Sequence, residues 1–115
     1  MLNKEITRRS STTYICEIYI AGSYDYARTV IQKYAAQVGM CVSIERVAYI
    51  FTGGDADGMV VRFINYPRFP KENADIKSDA LNLAEHLMIE LGQSSCSIVC
   101  SDETTFLSRR SDGDD

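Results

Sequence analysis

The chain reads as a single two-layer α+β domain in the order β-α-β-β-α-β, and three observations predict it. Two amphipathic helical stripes each follow a segment of strand-like alternation, a Gly-rich turn joins two β-rich segments between them, and neither stripe is repeated elsewhere. At 115 residues the chain can bury one core but not two. The 45% hydrophobic and 24% charged fractions are those of an ordinary globular protein.

The first strand is read from Tyr14, Cys16, Ile18 and Ile20, which alternate against Ile15, Glu17 and Tyr19. Gly22 breaks it, Ser23 offers a helix N-cap, and Tyr26, Ala27, Val30, Ile31, Tyr34 and Val38 recur at helical spacing up to Gly39. Residues 41–52 are β-branched and aromatic, but Val42 and Ile44 are out of phase with Val47, Tyr49 and Phe51, so a bulge near Glu45 and Arg46 is expected. The Gly53-Gly54-Asp55-Ala56-Asp57-Gly58 segment is read as a hairpin turn rather than a calcium loop, because it lacks the remaining oxygen ligands. Met59, Val61 and Phe63 resume alternation on the return strand, which Pro67 and Pro70 stop.

Ile76, Ala80, Leu83, Ala84, Leu87, Met88 and Leu91 define the second helix, ending at Gly92. Cys96, Ile98 and Cys100 then mark a fourth strand expected to run on to Leu107. These elements match a ferredoxin-like sandwich, two helices on one face of an antiparallel sheet with strand order four, one, three, two. Residues 1–12 are expected to form a flexible N-terminal segment, 13–110 the ligand-binding domain and 111–115 a disordered acidic tail.

No apolar stretch is long enough to span a membrane, and the N-terminus lacks the apolar run of a signal peptide, so a cytoplasmic location without membrane contact is expected. The net charge of −4 speaks against a partner gripped through many phosphates, so long nucleic acid is not expected. Small anions are another matter, since eight of the twelve basic residues are Arg, whose fork suits phosphate and carboxylate. Cys16, Cys41, Cys96 and Cys100 have no paired metal-ligand spacing and are read as reduced, mostly buried thiols, with a disulfide the less favoured alternative.

With the proposed strand order, one edge would collect Arg8, Arg9, Arg68, Lys71, Arg109 and Arg110. From this edge Asn65, Tyr66, Arg68, Phe69, Thr105, Arg109 and Arg110 are the expected ligand-binding residues: arginine forks for phosphate, aromatics for stacking on a base. The bland alternative is that the arginines are solvated strand-end charges and the aromatics seal the core. The turn at Gly22 and Ser23 is read as a plain helix cap, and His86, the sole histidine, as a boundary residue. No Ser-His-Asp or Cys-His arrangement can be assembled without it, so a binding protein with no catalytic residue, metal or cofactor is expected.

The strings Tyr19-Ile20-Ala21-Gly22, Gly39-Met40-Cys41-Val42, Tyr49-Ile50-Phe51-Thr52-Gly53-Gly54, Ile64-Asn65-Tyr66-Pro67-Arg68-Phe69-Pro70 and Thr104-Thr105-Phe106-Leu107-Ser108-Arg109-Arg110 resemble the first family of phage Thoeris anti-defence proteins. The resemblance spans Tyr14 to Arg110. It implies a viral sponge that binds cyclic ADP-ribose variants, and in some members cyclic oligonucleotides, without cleaving them. It also implies an oligomer with pockets between chains; separately, strands two and four are long and lie at the sheet edges in the proposed order, so a homo-oligomer, a dimer or a multiple of dimers, is expected. Two other classes stand beside it: a small intracellular nucleotide phosphodiesterase, and a ferredoxin-like regulatory or assembly module.

Overall fold

In the computed structural model, which describes residues 5–110, the chain runs β1 (Ile15–Ala21), α1 (Tyr24–Val38), β2 (Ser43–Phe51), β3 (Gly54–Ile64), α2 (Asn73–Glu90), β4 (Ser95–Cys100) and β5 (Thr104–Ser108). The five strands form one antiparallel sheet in the order β2-β3-β1-β4-β5. This is the expected ferredoxin-like order with one strand added at the outside. Both helices pack against the sheet face that carries Cys16, Ile18, Ile20, Val61, Phe63 and Ile98, all buried. The opposite face carries no helix and is crossed by a polar line in which Glu17 accepts from Arg62 at 2.6 Å and from the Tyr19 hydroxyl at 3.2 Å.

Local chemistry sets the boundaries. The Ser23 hydroxyl accepts from the Tyr26 N–H at 3.2 Å and caps α1, which ends at Gly39 with φ +71°. The expected bulge in β2 is not there: pairing with β3 runs without interruption from Ser43 opposite Arg62 to Phe51 opposite Gly54. The phase change needs no bulge, because an edge strand can place apolar residues on both faces. Ile44 turns to the helix-covered side, opposite buried Val61, while Val47 and Tyr49 lie on the other.

The expected long fourth strand is two strands. Ser101, Asp102 and Glu103 turn the chain back, with the Cys100 N–H donating to the Glu103 carbonyl at 2.9 Å, and Leu107 returns opposite Cys96. The cause lies in the pattern: buried positions are even-numbered through Cys100, whereas Leu107 is odd, and a polar triplet suited to a turn stands between. Cys16 and Cys100 are direct partners across β1 and β4, with Cα atoms 4.0 Å apart, and form a disulfide. This corrects the expectation that all four cysteines are reduced; register, which spacing along the chain does not reveal, brings the two sulfurs together. Cys41 and Cys96 are free.

Among residues 1–12, those described (5–12) form no helix or strand, although Ser11 and Thr12 are tied to Asn65. The tail expected at 111–115 lies outside the described residues.

Gly58 marks the closest backbone approach in the sheet. It pairs with Ala21 on one side and Val47 on the other, and a Cβ there would run into the Ile20 carbonyl and the Tyr49 ring. The Tyr49 hydroxyl donates to the Met59 carbonyl, and burial pushes this phenol up to about 12. Gly58→Ala is therefore expected to cost about 1–3 kcal/mol, the usual penalty of overpacking, read as a lower denaturation midpoint with an unchanged slope.

Candidate functional site

Where β3 ends, the chain enters the Pro-bounded loop from Asn65 to Pro70, and the first residue of that loop is the anchor. Asn65 is buried with every polar group engaged: its N–H donates to the Tyr14 carbonyl, its carbonyl accepts from the Ser11 hydroxyl, its Nδ2 donates to the Thr12 carbonyl, and its Oδ1 accepts from the Lys71 N–H. The side chain clamps the N-terminal segment and both ends of the loop, and the residue also lines the cleft beside it.

Held in this way, the loop forms one wall of an apolar cleft of about 320 Å3, within the range of small-molecule sites. The Tyr66 and Phe69 rings stand 6.5 Å apart, tilted by 58°, and the Phe69 N–H closes the turn on the Tyr66 carbonyl at 3.0 Å. Met40 and Cys41, just before β2, form the facing rim, and Phe63 and Ile76 line the floor. Lys71 and Asp79 add a charged pair, with Nζ to Oδ2 at 2.8 Å. Burial, then the hydrogen bond and charge of the neighbouring Cys41, raise the Tyr66 phenol above its ordinary value, so it stays protonated and able to donate. The Arg68 guanidinium lies 5.7 Å from the centre of the Phe69 ring.

The other expected residues are elsewhere. Arg109 and Arg110 follow β5, whose reversal carries them to the opposite end of the sheet; the Arg109 N–H donates to the Ser94 carbonyl at 2.7 Å and the Arg110 guanidinium to the Ser94 hydroxyl at 2.8 Å. Thr105 is half-buried within β5 opposite Ile98. The single arginine-rich edge is thus divided: Arg68 and Lys71 stand at the end where the N-terminal segment with exposed Arg8 and Arg9 approaches, and Arg109 and Arg110 stand at the other. Sequence reasoning missed Met40, Cys41, Phe63, Ile76 and Asp79. The signal for the rim was available, because a hairpin without a bulge puts the start of β2 beside the end of β3.

A second cluster lies outside the cleft. The Tyr14 hydroxyl donates to Asp102 Oδ1 at 2.7 Å, and Lys77 Nζ contacts both Asp102 and Glu103 at 3.1 Å. It ties the β4–β5 turn to α2. The Tyr14 hydrogen bond, then that of Lys77, holds the Asp102 carboxyl below its ordinary value. His86 stacks beside Tyr34 between the helices, with ring centres 4.9 Å apart, and reaches neither cluster. Among the described residues no group of three His, Cys, Asp or Glu side chains could hold a metal ion, and no helix is long and apolar enough to cross a membrane.

No family model and no curated protein matches the chain. Two solved structures do. One is a phage SAM lyase in complex with S-methyl-5′-thioadenosine, at TM-score 0.63 and 13% identity, covering 91% of this chain and 96% of that one. The other is a phage SAM lyase in its apo state, at TM-score 0.67 and 11% identity, covering 90% and 96%. At these identities the likeness establishes the fold.

It bears out the two-layer α+β fold expected from sequence, and does not bear out the Thoeris sponge family or its cyclic ADP-ribose ligand. The expectation of a protein without enzymatic activity is corrected: the two solved structures that share this frame over nine-tenths of the chain are both lyases. A missing base and nucleophile pair does not exclude an enzyme, because a substrate that carries its own nucleophile needs neither from the protein.

Two outcomes follow for the side chains described. Cys41, exposed on the cleft rim, should be alkylated in the native protein, whereas Cys96, whose thiol burial pushes up to about 11, should react only on unfolding; peptide mass spectrometry before and after denaturation distinguishes them. Asp102 has a depressed folded value, so its contribution is present above the unfolded carboxylate value near 4 and fades as pH falls through the lower folded value. Asp102→Asn should accordingly flatten the acid limb of a stability-against-pH curve, and an unchanged curve would show that the cluster contributes nothing.

Proposed function

We propose that the protein is a phage counter-defence enzyme that breaks down SAM, or a closely related adenosyl sulfonium, releasing S-methyl-5′-thioadenosine. The observation that carries this reading is an apolar, aromatic-lined cleft on a fold that two phage SAM lyases match over nine-tenths or more of both chains.

The chemistry suits the residues. S-methyl-5′-thioadenosine is SAM without its four-carbon amino-acid arm, so its release breaks the bond between sulfur and the arm's γ-carbon. The arm's own carboxylate can make the displacement: an oxygen–carbon bond forms, the sulfur–carbon bond breaks, and its electron pair leaves on sulfur. The products are a neutral thioether and a lactone that keeps the ammonium group. Net charge is +1 before and after, and no proton changes hands. Such a reaction asks the protein for no base, nucleophile or metal.

What it asks for is conformation and medium. A sulfonium and a carboxylate lose their charges as they react, so a site that excludes water raises the ground state more than the transition state. Tyr66 and Phe69 would face the sulfonium and the adenine, an attraction that does not need a charged partner. Lys71 and Asp79 would hold the ends of the amino-acid arm, turning its carboxylate towards the γ-carbon. Arg68 stands beside Phe69 at the mouth; Thr105, Arg109 and Arg110 receive no role in this reading.

The test is direct. Purified protein incubated with SAM should yield S-methyl-5′-thioadenosine and the four-carbon lactone in equal amounts by mass spectrometry. Tyr66→Ala and Phe69→Ala should each lower kcat/KM by about tenfold, from about 1–2 kcal/mol of cation–π attraction, with folding intact. Arg110→Ala should leave it unchanged. SAM recovered intact after prolonged incubation would overturn the proposal.

A further inference from the structure

At the cleft, β3 is paired on one side further than on the other. On its β1 side the ladder runs to Ile64 opposite Ile15, and beyond it the Asn65 N–H donates to the Tyr14 carbonyl at 3.1 Å. On its β2 side the last rung is Arg62 opposite Ser43. In an antiparallel sheet, successive residues turn their backbone groups alternately to one neighbour and to the other, and residues that face each other exchange both hydrogen bonds. Asn65 faces β1, so Ile64 turns its N–H and its carbonyl the other way. Ile15 agrees with this, since its carbonyl accepts from the Ser101 N–H of the opposite neighbour at 2.9 Å.

Continuing the register by one rung would set Cys41 opposite Ile64. Among the described residues no backbone hydrogen bond joins the two. Both line the cleft, so the missing rung opens into it: one residue there presents a donor and an acceptor side by side within an apolar lining, where leaving them without a partner is unfavourable. The Ile64 side of the gap is firmly held. β1 locks it from behind, and the next residue is the fully engaged Asn65, whereas Met40, Cys41 and Val42 belong to no helix or strand.

The partner that fits is an edge with the donor and acceptor spacing of a peptide residue. In a residue, two carbon atoms separate the N–H from the carbonyl oxygen; in adenine, two carbon atoms separate the N6 amino group from the N7 acceptor. We infer that the Ile64 backbone reads the adenine of the ligand, its N–H donating to N7 and its carbonyl accepting from the N6 amino group, with the base in the place that Cys41 would hold in a longer ladder. The inference rests on the proposed enzymatic reading for the identity of that ligand.

The side chains of the cleft leave this task to the backbone. An asparagine amide carries the same pair of groups and is a common reader of adenine, but that of Asn65 is committed to Thr12 and Lys71. Lys71 and Asp79 are paired with each other. The Tyr66 hydroxyl donates to the Cys41 thiol, which brings the ring beside the gap, where it can cover one face of the base. The consequence is a choice of base. Guanine and hypoxanthine carry acceptors at both N7 and O6, so the Ile64 carbonyl would meet another acceptor.

Calorimetry on the full chain tests the subsite, with S-methyl-5′-thioadenosine as the parent probe. Its 7-deaza analogue, in which carbon replaces N7, should bind about tenfold more weakly, the effect of one lost hydrogen bond. The inosine analogue, in which oxygen replaces the amino group, should bind about a hundredfold more weakly. Ile64→Pro removes the N–H that faces the cleft and none that β1 uses. With its fold intact by circular dichroism, it should bind the parent about tenfold more weakly and no longer distinguish it from the 7-deaza analogue. Ile64→Ala, which keeps the backbone, should retain the wild-type preference. Should the proline variant fail to fold, the analogue series on wild type decides. Equal affinity of wild type for the parent and both analogues, no affinity for the parent, or a folded proline variant that still tells N7 from carbon overturns the subsite. Cleavage of SAM is read separately: SAM left intact beside an unchanged preference for adenine overturns the enzymatic reading and leaves the subsite standing.

Discussion

Everything in this fold hangs on β1 having a buried face and two neighbours. Its three inward side chains, Cys16, Ile18 and Ile20, are almost wholly removed from water, and the strand pairs with β3 along its whole length and with β4 along half of it. A strand so placed admits a helix layer on one side only, because the outward positions Glu17 and Tyr19 carry groups that need hydrogen-bond partners. Glu17 finds one in Arg62 of β3, so the polar face is tied into the same register that builds the core. The hairpin, the helices and the β4–β5 turn are arranged around that strand.

The end of this frame explains the cleft. β3 stops at the edge of the sheet, and the chain must turn over the N-terminus of α2. Two prolines limit the turn, and one buried asparagine satisfies the backbone groups that the turn leaves over. A loop held in this way can present Tyr66 and Phe69 without ordering them anew for each ligand. The cleft beside it is apolar because it lies at the margin of the core, with buried Phe63 and Ile76 beneath it. Binding surface and core are continuous here, which is why the site shows no motif of its own.

Chemistry that cancels charge within one substrate is suited to such a place. A catalytic constellation of acids and bases leaves a trace in a sequence, as spaced histidines, carboxylates or thiols. A shaped apolar cavity leaves none, since its lining consists of residues that any core would use. That is why the reactive side chains by themselves pointed to a binding protein.

From the sequence alone the element order, the two helical stripes, the hairpin and the Pro-bounded loop carrying Tyr66, Arg68 and Phe69 could be read, because each depends on the period of apolar residues or on a local turn signal. Whatever depended on partners distant along the chain could not. The reversal after Cys100 moved Arg109 and Arg110 to the far end of the sheet, the β1–β4 register joined Cys16 to Cys100, and the hairpin register brought Met40 and Cys41 to face Tyr66. Asn65 was singled out from its position and found to be an anchor, because only the fold shows which backbone groups need its amide. Period and turn chemistry are properties of neighbours in sequence; a site is made of neighbours in space, and the pairing of strands decides which residues those are.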